Sequence, residues 1–336
     1  MRFGPVPLAE AAGGILAYSL RVGDRRFKKG HRFSGDDLAL LADAGMSEVT
    51  VAQLDPGDVA ENDAALRLAR ALVPDPEAAG LRLDPAFTGR VNIRATGPGV
   101  IALEAGAIHA LNRVDPMITL ATVPPWQRVT EGMMVGTVKI ISYAVPESAL
   151  TRACAAGQGA LIRRKPVLKT AGLIITQTEA MPPKPDAKAI KAISGRLEAL
   201  GMSLADTQHV DHSAAAIADA LARLGTDLAL ILTASATSDV CDEAPAGLVR
   251  AGGILTRFGM PVDPGNLLFL GSLGKVPVIG LPGCARSPAL NGADWVLERI
   301  ACGVPVSAED IAAMGVGGLL KEIPTRPQPR DGPRRD

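Results

Sequence analysis

Gly172-Leu173-Ile174-Ile175-Thr176, Asp227-Leu228-Ala229-Leu230-Ile231-Leu232 and Val276-Pro277-Val278-Ile279-Gly280-Leu281 are the stretches that decide the fold. Each is a nearly continuous apolar run, the pattern of a strand buried on both faces. The segments between them carry the helical period. Asp186 can cap a helix in which Ile190, Ile193, Leu197 and Leu200 make one stripe, and Gly201 ends it. A short strand then leads to Val210-Asp211-His212, and Ala214 to Leu224 forms the next helix. After the third run, Ser287 to Cys302 reads as one long helix, with Trp295 on its apolar face. This strand–helix alternation predicts an α/β fold: a doubly wound, mostly parallel sheet with helices on both faces.

Towards the N-terminus the texture is different. Ser34 is a good N-cap for a helix with Leu38, Leu40, Leu41 and Ala44 on one side, stopped by Gly45. Ser47 to Ala52 alternates as a strand, and a helix is expected from Val59 to Leu72. Strands follow at Gly89–Arg94 and Val135–Ile141, with helices at Glu104–Asn112 and Glu147–Ala156. Gly157, Gly159 and the basic run Arg163-Arg164-Lys165 mark a boundary. The predicted domains are therefore a mixed α+β domain at 1–160 and the α/β domain at 165–322. The Pro- and Arg-rich tail, 323–336, is expected to be disordered.

At 336 residues and 47% hydrophobic the chain can bury two cores, and with 3% aromatics Leu, Ile, Val and Ala must fill them. Thirty-five basic residues balance thirty-five acidic ones, so no long-range field favours nucleic acid as a partner. No apolar run of about eighteen residues suggests a membrane span. Residues 1–10 lack the layout of a signal peptide. Four dispersed cysteines without a CxxC pair fit a reducing compartment, and the expected location is cytoplasmic.

Ligands of an open parallel sheet bind at the carboxyl ends of its strands. Three polar loops follow such ends: Thr176 to Glu179, Thr233 to Asp239, and Pro282 to Ser287. The middle one, rich in small residues, lets backbone N–H groups approach an anion, and Ser235, Thr237 and Ser238 add hydroxyl donors. Read alone, it is first of all an ordinary strand-to-helix loop capped by Ser238 or Asp242, and only second an anion site.

Thr233 to Leu248, TASATSDVCDEAPAGL, resembles the TGGTG…RD.TPEA signature of the MoaB/Mog-type molybdopterin-binding domain, with Thr233, Asp242 and Pro245 coinciding. Thr176 and Glu179 resemble the threonine and acid of a TGDE loop. Asp211 resembles the aspartate ahead of an I..AL helix, here Ile217, Ala220 and Leu221. Asp263-Pro264-Gly265-Asn266 and Leu281-Pro282-Gly283 are similar to the PGKP and LPGNP segments of molybdopterin molybdenumtransferase. The front half also resembles that group, through Phe27-Lys28-Lys29-Gly30, Ile118–Pro125 (ITLATVPP) and Val135–Val145 (VGTVKIISYAV).

The resemblance implies a protein of molybdenum-cofactor biosynthesis or delivery that binds molybdopterin, its nucleotide form or the molybdenum cofactor. It implies ligand contacts at Thr176, Glu179, Thr233, Ser235, Thr237, Ser238, Asp239, Pro264, Gly265, Pro282, Gly283, Arg286 and Ser287. Asp211 and Asp242 would be the catalytic and Mg²⁺-holding carboxylates of an active molybdenum- or adenylyltransferase. Either could equally be a helix N-cap. Other molybdenum-cofactor proteins as partners, and self-association into a homo-oligomer, are further implications.

The departures bear on catalysis. The family's double glycine is Ala234-Ser235 here, and LPGNP has become Leu281-Pro282-Gly283-Cys284-Ala285. Added Cβ atoms keep backbone away from a phosphate, so a binder without catalysis is the first expectation and the transferase the second. Arg286 is the cationic candidate for a ligand phosphate, its alternative being a surface salt bridge. His209 and His212 are expected as exposed loop histidines, and Cys284 as a small buried filler.

Overall fold

The computed structural model describes residues 1–178 and 186–320; the expected tail at 323–336 lies outside them. Two compact units divide the chain: residues 1–97 with 101–163, and residues 98–100 with those from 164 onward.

The second unit is built on a six-stranded sheet. Its spatial order is Ser203–Asp211, Thr170–Gln177, Leu228–Leu232, Val276–Leu281, Phe269–Leu273, Ile254–Phe258. The first four strands run parallel, in registers such as Thr176 opposite Val210 and Leu232 opposite Leu281. The last two are added antiparallel. Alternation along each buried strand divides the core in two. Leu173, Ile175, Leu230, Leu232 and Ile279 face helices Asp186–Glu198 and Gly292–Ala301, meeting Ile193, Leu197, Val296 and Leu297. Ile174, Ile231 and Val278 face helices Ala214–Arg223 and Glu243–Arg250, meeting Ile217, Leu221 and Leu248. Buried side chains on both faces explain why these strands read as unbroken apolar runs.

Two expectations need correction here. The strand leading to Asp211 is nine residues long, Ser203–Asp211, and takes in His209. The long helix from Ser287 to Cys302 is instead a 3₁₀ turn, Gly283–Arg286, a loop, and a helix beginning at Gly292. Its start is set by a buried capping box. Asn291 Oδ1 accepts the Ala293 N–H, and Asp294 Oδ2 accepts the Asn291 N–H. Trp295 is partly buried against the core.

The first unit is assembled from smaller pieces. Strand Glu48–Gln53 lies between Arg2–Pro7 and Ile15–Leu16, over a core that includes Leu16, Phe27, Phe33, Leu41 and Val51. Helix Gly35–Asp43 is capped as expected: Ser34 Oγ accepts the Asp37 N–H, and Asp37 accepts the Ser34 N–H in return. A four-stranded sheet, Ile118–Thr122, Met134–Ile140, Arg90–Ala95 and Leu81–Leu83, shares its core with helix Glu61–Leu72. That helix starts two residues later than its pattern suggests, because Asp58–Ala60 pairs as a strand with Ala144–Pro146. Helices Ala105–Asn112 and Glu147–Ala156 lie where their apolar stripes put them.

Candidate functional site

Thr170–Gln177 is the first strand of the second unit. The chain goes from it to Ser203–Asp211 on one side, then to Leu228–Leu232 on the other. Where successive connections leave a strand in opposite directions, a crevice opens at the carboxyl ends. Here that point falls between Thr176 and the loop after Leu232. Thr176 is buried, and its Oγ1 accepts the Ala234 N–H at 2.8 Å. The same hydroxyl lies 2.9 Å from His212 Nδ1. One side chain thus ties three strand ends together, and the His212 N–H donates to the Gln177 carbonyl to close the corner.

Arg286 adds the fourth strand end. Its Nη2 donates to the Thr233 carbonyl at 3.2 Å, and its Nη1 lies 3.3 Å from Asp186 Oδ1. The side chain is 22% exposed, so this guanidinium is a largely covered strut with one accessible side. Asp186 also faces His209 Nε2 at 3.2 Å. Neither histidine is therefore a loop residue of the kind expected: His209 is exposed but sits on the strand beside a carboxylate, and His212 is held by Thr176.

The loop 233–242 has its own internal order. Asp242 caps helix Glu243–Arg250, Oδ1 accepting the Glu243 N–H at 2.7 Å and Oδ2 the Ser238 N–H at 2.9 Å. Asp239 Oδ1 accepts the Cys241 N–H at 2.8 Å. Ser235 and Ser238 are exposed, whereas Thr237 is buried. Ser238 Oγ donates to the Ala236 carbonyl.

Asp211 ends its strand exposed, and the cap of the following helix is Ser213, whose Oγ accepts the Ala216 N–H. Of the two candidate N-caps, then, only Asp242 is one. Both Asp242 oxygens accept backbone N–H groups, and each keeps a lone pair. Among the described residues, no three His, Cys, Asp or Glu side chains gather as metal ligands.

The remaining candidates divide. Pro264 follows a cis peptide bond, and its carbonyl accepts the Gly292 N–H at 2.8 Å. Gly265 lies so close to this helix start that a Cβ would stand 2.7 Å from Gly292 N. These two residues therefore buttress the helix Gly292–Ala301. Pro282 is buried at the start of the 3₁₀ turn, while Gly283 is exposed with open space around it. Ser287 is exposed; its carbonyl accepts from Arg196 Nη2 at 2.7 Å. Cys284 is half-buried. Glu179 lies outside the described residues.

Arg196 and Glu243 escaped the sequence reading. Arg196 Nε meets Asp294 Oδ1 at 2.5 Å, and its other nitrogens donate to the carbonyls of Ala192, Ala285, Ser287 and Ala289. It thereby holds the loop after the fourth strand. Its signal was available, since it falls three residues after Ile193, on the buried stripe of its helix. Glu243 accepts the Ala214 N–H, a contact between two helix starts that no local pattern announces.

Residues 5–53 match the model of a family described as a domain of unknown function (DUF8806). No curated protein matches the chain. Among solved structures it is similar to a molybdenum cofactor biosynthesis protein from Pyrococcus furiosus, with 14% identity over 93% of this chain and a TM-score of 0.25. It is also similar to the molybdopterin biosynthesis moea protein from Pyrococcus horikosii, with 13% identity over 92% of this chain and a TM-score of 0.27. The chain spans 65% of the length of the first and 75% of the second. The molybdopterin biosynthesis enzyme MoaB from Thermus thermophilus is 16% identical over 41% of this chain and 99% of its own, with a TM-score of 0.29.

Proposed function

We propose that this protein binds molybdopterin, or its nucleotide form, at the carboxyl-terminal strand edge of the second unit. It would serve the biosynthesis or delivery of molybdenum cofactor as a binder without catalysis. The observation that carries the reading is the Thr176 hydroxyl, which joins the Ala234 N–H and His212 across the point where the strand order reverses. The stretches with the sequence resemblance, Thr176, Thr233–Leu248 and Leu281–Gly283, all start from this edge.

In this reading the ligand phosphate meets the loop Ser235–Ser238. The exposed Ser235 hydroxyl and the accessible side of Arg286 supply donors, and the covered Thr176–Ala234 bond keeps the loop in place. Binding without transfer is supported by the Cβ atoms of Ala234 and Ser235, which stand where the resembled signature has two glycines.

The test is retention of a pterin. Protein purified under anaerobic conditions is oxidised, and the released fluorescent pterin is quantified against protein. The expected result is a pterin that is lost from Ser235→Glu, which puts a negative charge where the phosphate would lie. Absence of pterin from the unsubstituted protein, and no binding of added molybdopterin, would remove the proposal. Nucleotide or metal transfer in a single turnover with molybdopterin, Mg-ATP and molybdate would overturn the binding-only part.

A further inference from the structure

The first unit contains a charged cluster that the strand-edge site leaves unused. From it we infer that Glu61, Lys29 and Lys139 form a binding site for a small oxyanion that carries a neighbouring hydroxyl or amino donor. Four stretches far apart in sequence build it. Glu61 opens the helix Glu61–Leu72, and its N–H donates to the Tyr143 carbonyl at 2.9 Å. Its carboxylate lies over the tight turn Thr88-Gly89, where a Cβ on Gly89 would stand 2.8 Å from Glu61 Oε2 and 2.8 Å from the Ile140 carbonyl. Lys139 donates from Nζ to the Thr88 carbonyl. Lys29 Nζ lies 5.7 Å from the centre of the Tyr143 ring.

The turn is held against this carboxylate at a cost. Thr88 has φ +47° and Gly89 φ +68°, a pair of left-handed residues in a two-residue hairpin between Phe87 and Arg90. A β-branched residue in this region costs about 1–2 kcal/mol, and Asn, Asp or Gly would make the same turn more easily. Three bonds keep it in position: Gly89 N–H to Asn62 Oδ1 at 2.8 Å, Ile140 N–H to the Gly89 carbonyl at 2.8 Å, and the Lys139 contact.

Glu61 itself is half-buried, and among the described residues its carboxylate has no hydrogen-bond or ion-pair partner. Burial pushes its pKa up, against the through-space pull of Lys139 and then Lys29. Two ammonium groups and one unpartnered carboxylate give the cluster a net positive charge. An oxyanion is attracted by the two lysines, and a hydroxyl or amino group on the same ligand donates to the carboxylate in place of water at this half-exposed position. Phosphate monoesters of hydroxylated molecules and hydroxy-carboxylates share this chemistry.

Amine acylation followed by mass spectrometry tests the site on the full chain. The probes are glycerol 3-phosphate, glycerate and sulfate. Either of the first two should slow acylation of Lys29 and Lys139 but not of the exposed Lys165 and Lys191, and the tighter one identifies the oxyanion as phosphate or carboxylate. Glu61→Gln should raise the half-protecting concentration of that probe about tenfold, the loss of one charge-assisted hydrogen bond. Sulfate, which has no hydrogen to donate, should not be weakened by that substitution. Lys29→Ala, at an exposed position that leaves the turn intact, should weaken both probes. Protection that is equal at Lys165 and Lys191, or half-protecting concentrations unchanged in Lys29→Ala and Glu61→Gln, would overturn the inference.

Discussion

The two units place polar groups by different means. In the second, one six-stranded sheet does the positioning: parallel strands bring Thr176, His212, Thr233 and Arg286 to one edge, whichever loops connect them. In the first, four sheets of two to four strands among the described residues share the work. Its charged cluster forms only because a turn, a helix start and a strand are pressed together around Glu61. An edge site of the first kind depends on topology and tolerates change in its loops. A cluster of the second kind depends on individual contacts, so single substitutions should disperse it.

The largest effect expected from this contrast is at Arg196. Arg196→Met leaves Asp294 buried without its cation and frees several loop carbonyls. Chemical denaturation should show a loss of about 3–5 kcal/mol, as for one partner removed from a buried pair. A loss under about 1 kcal/mol would mean the pair behaves as a surface ion pair, against its burial. Thr176→Val comes next. It keeps the side-chain volume but strips the Ala234 N–H of its acceptor, a cost of about 1–3 kcal/mol. If the strand edge is set by topology, this variant should fold with the same sheet, as read by hydrogen exchange of the Leu228–Leu232 amides, while loop amides near Ala234 exchange faster.

Asp37 supplies a third test, in the first unit. The Ser34 N–H, and then the side chain of His31, hold its pKa down to about 2 from the usual 3.8. A depressed folded-state pKa stabilises above the unfolded value and is lost as pH falls through the folded one. Acid titration of stability should therefore show a loss between about pH 4 and pH 2 that is smaller in Asp37→Asn. The variant must be compared at each pH with the parent, since Glu147, held down to about 2 first by Arg67, titrates in the same window.

The same contrast explains what could be read in advance. Leu173-Ile174-Ile175 and Leu230-Ile231-Leu232 announce buried strands because their burial is a local property of consecutive residues. Ser34 and Asp37 announce a cap because both partners lie within one turn. The place of Thr176 at a strand end was legible, although nothing local shows that His212 will share its hydroxyl. The helix expected from Ser287 failed for a related reason: Arg196, far away in sequence, gathers the carbonyls of Ala285, Ser287 and Ala289 and so keeps that stretch from winding. Glu61 and Lys139 carried no signal at all, for their neighbourhood exists only once the Thr88-Gly89 turn is packed.

The smallest effect is the one that separates strain from simple turn formation. Thr88→Gly removes the cost of a left-handed β-branched residue, about 1–2 kcal/mol, and adds the entropy of a second glycine in the unfolded chain, about 0.5–1 kcal/mol. The expected net change is a stabilisation of about 0–1.5 kcal/mol, read by denaturation with parent and variant side by side. The glycine also keeps the Thr88 carbonyl, and with it the acceptor for Lys139. If strain in this turn serves only to hold the lysine, the variant should be more stable and should protect Lys139 from acylation by the oxyanion probe as well as the parent does. A destabilised Thr88→Gly would instead mean that the threonine side chain itself is held by its surroundings, and that the turn is at its best with the residue it has.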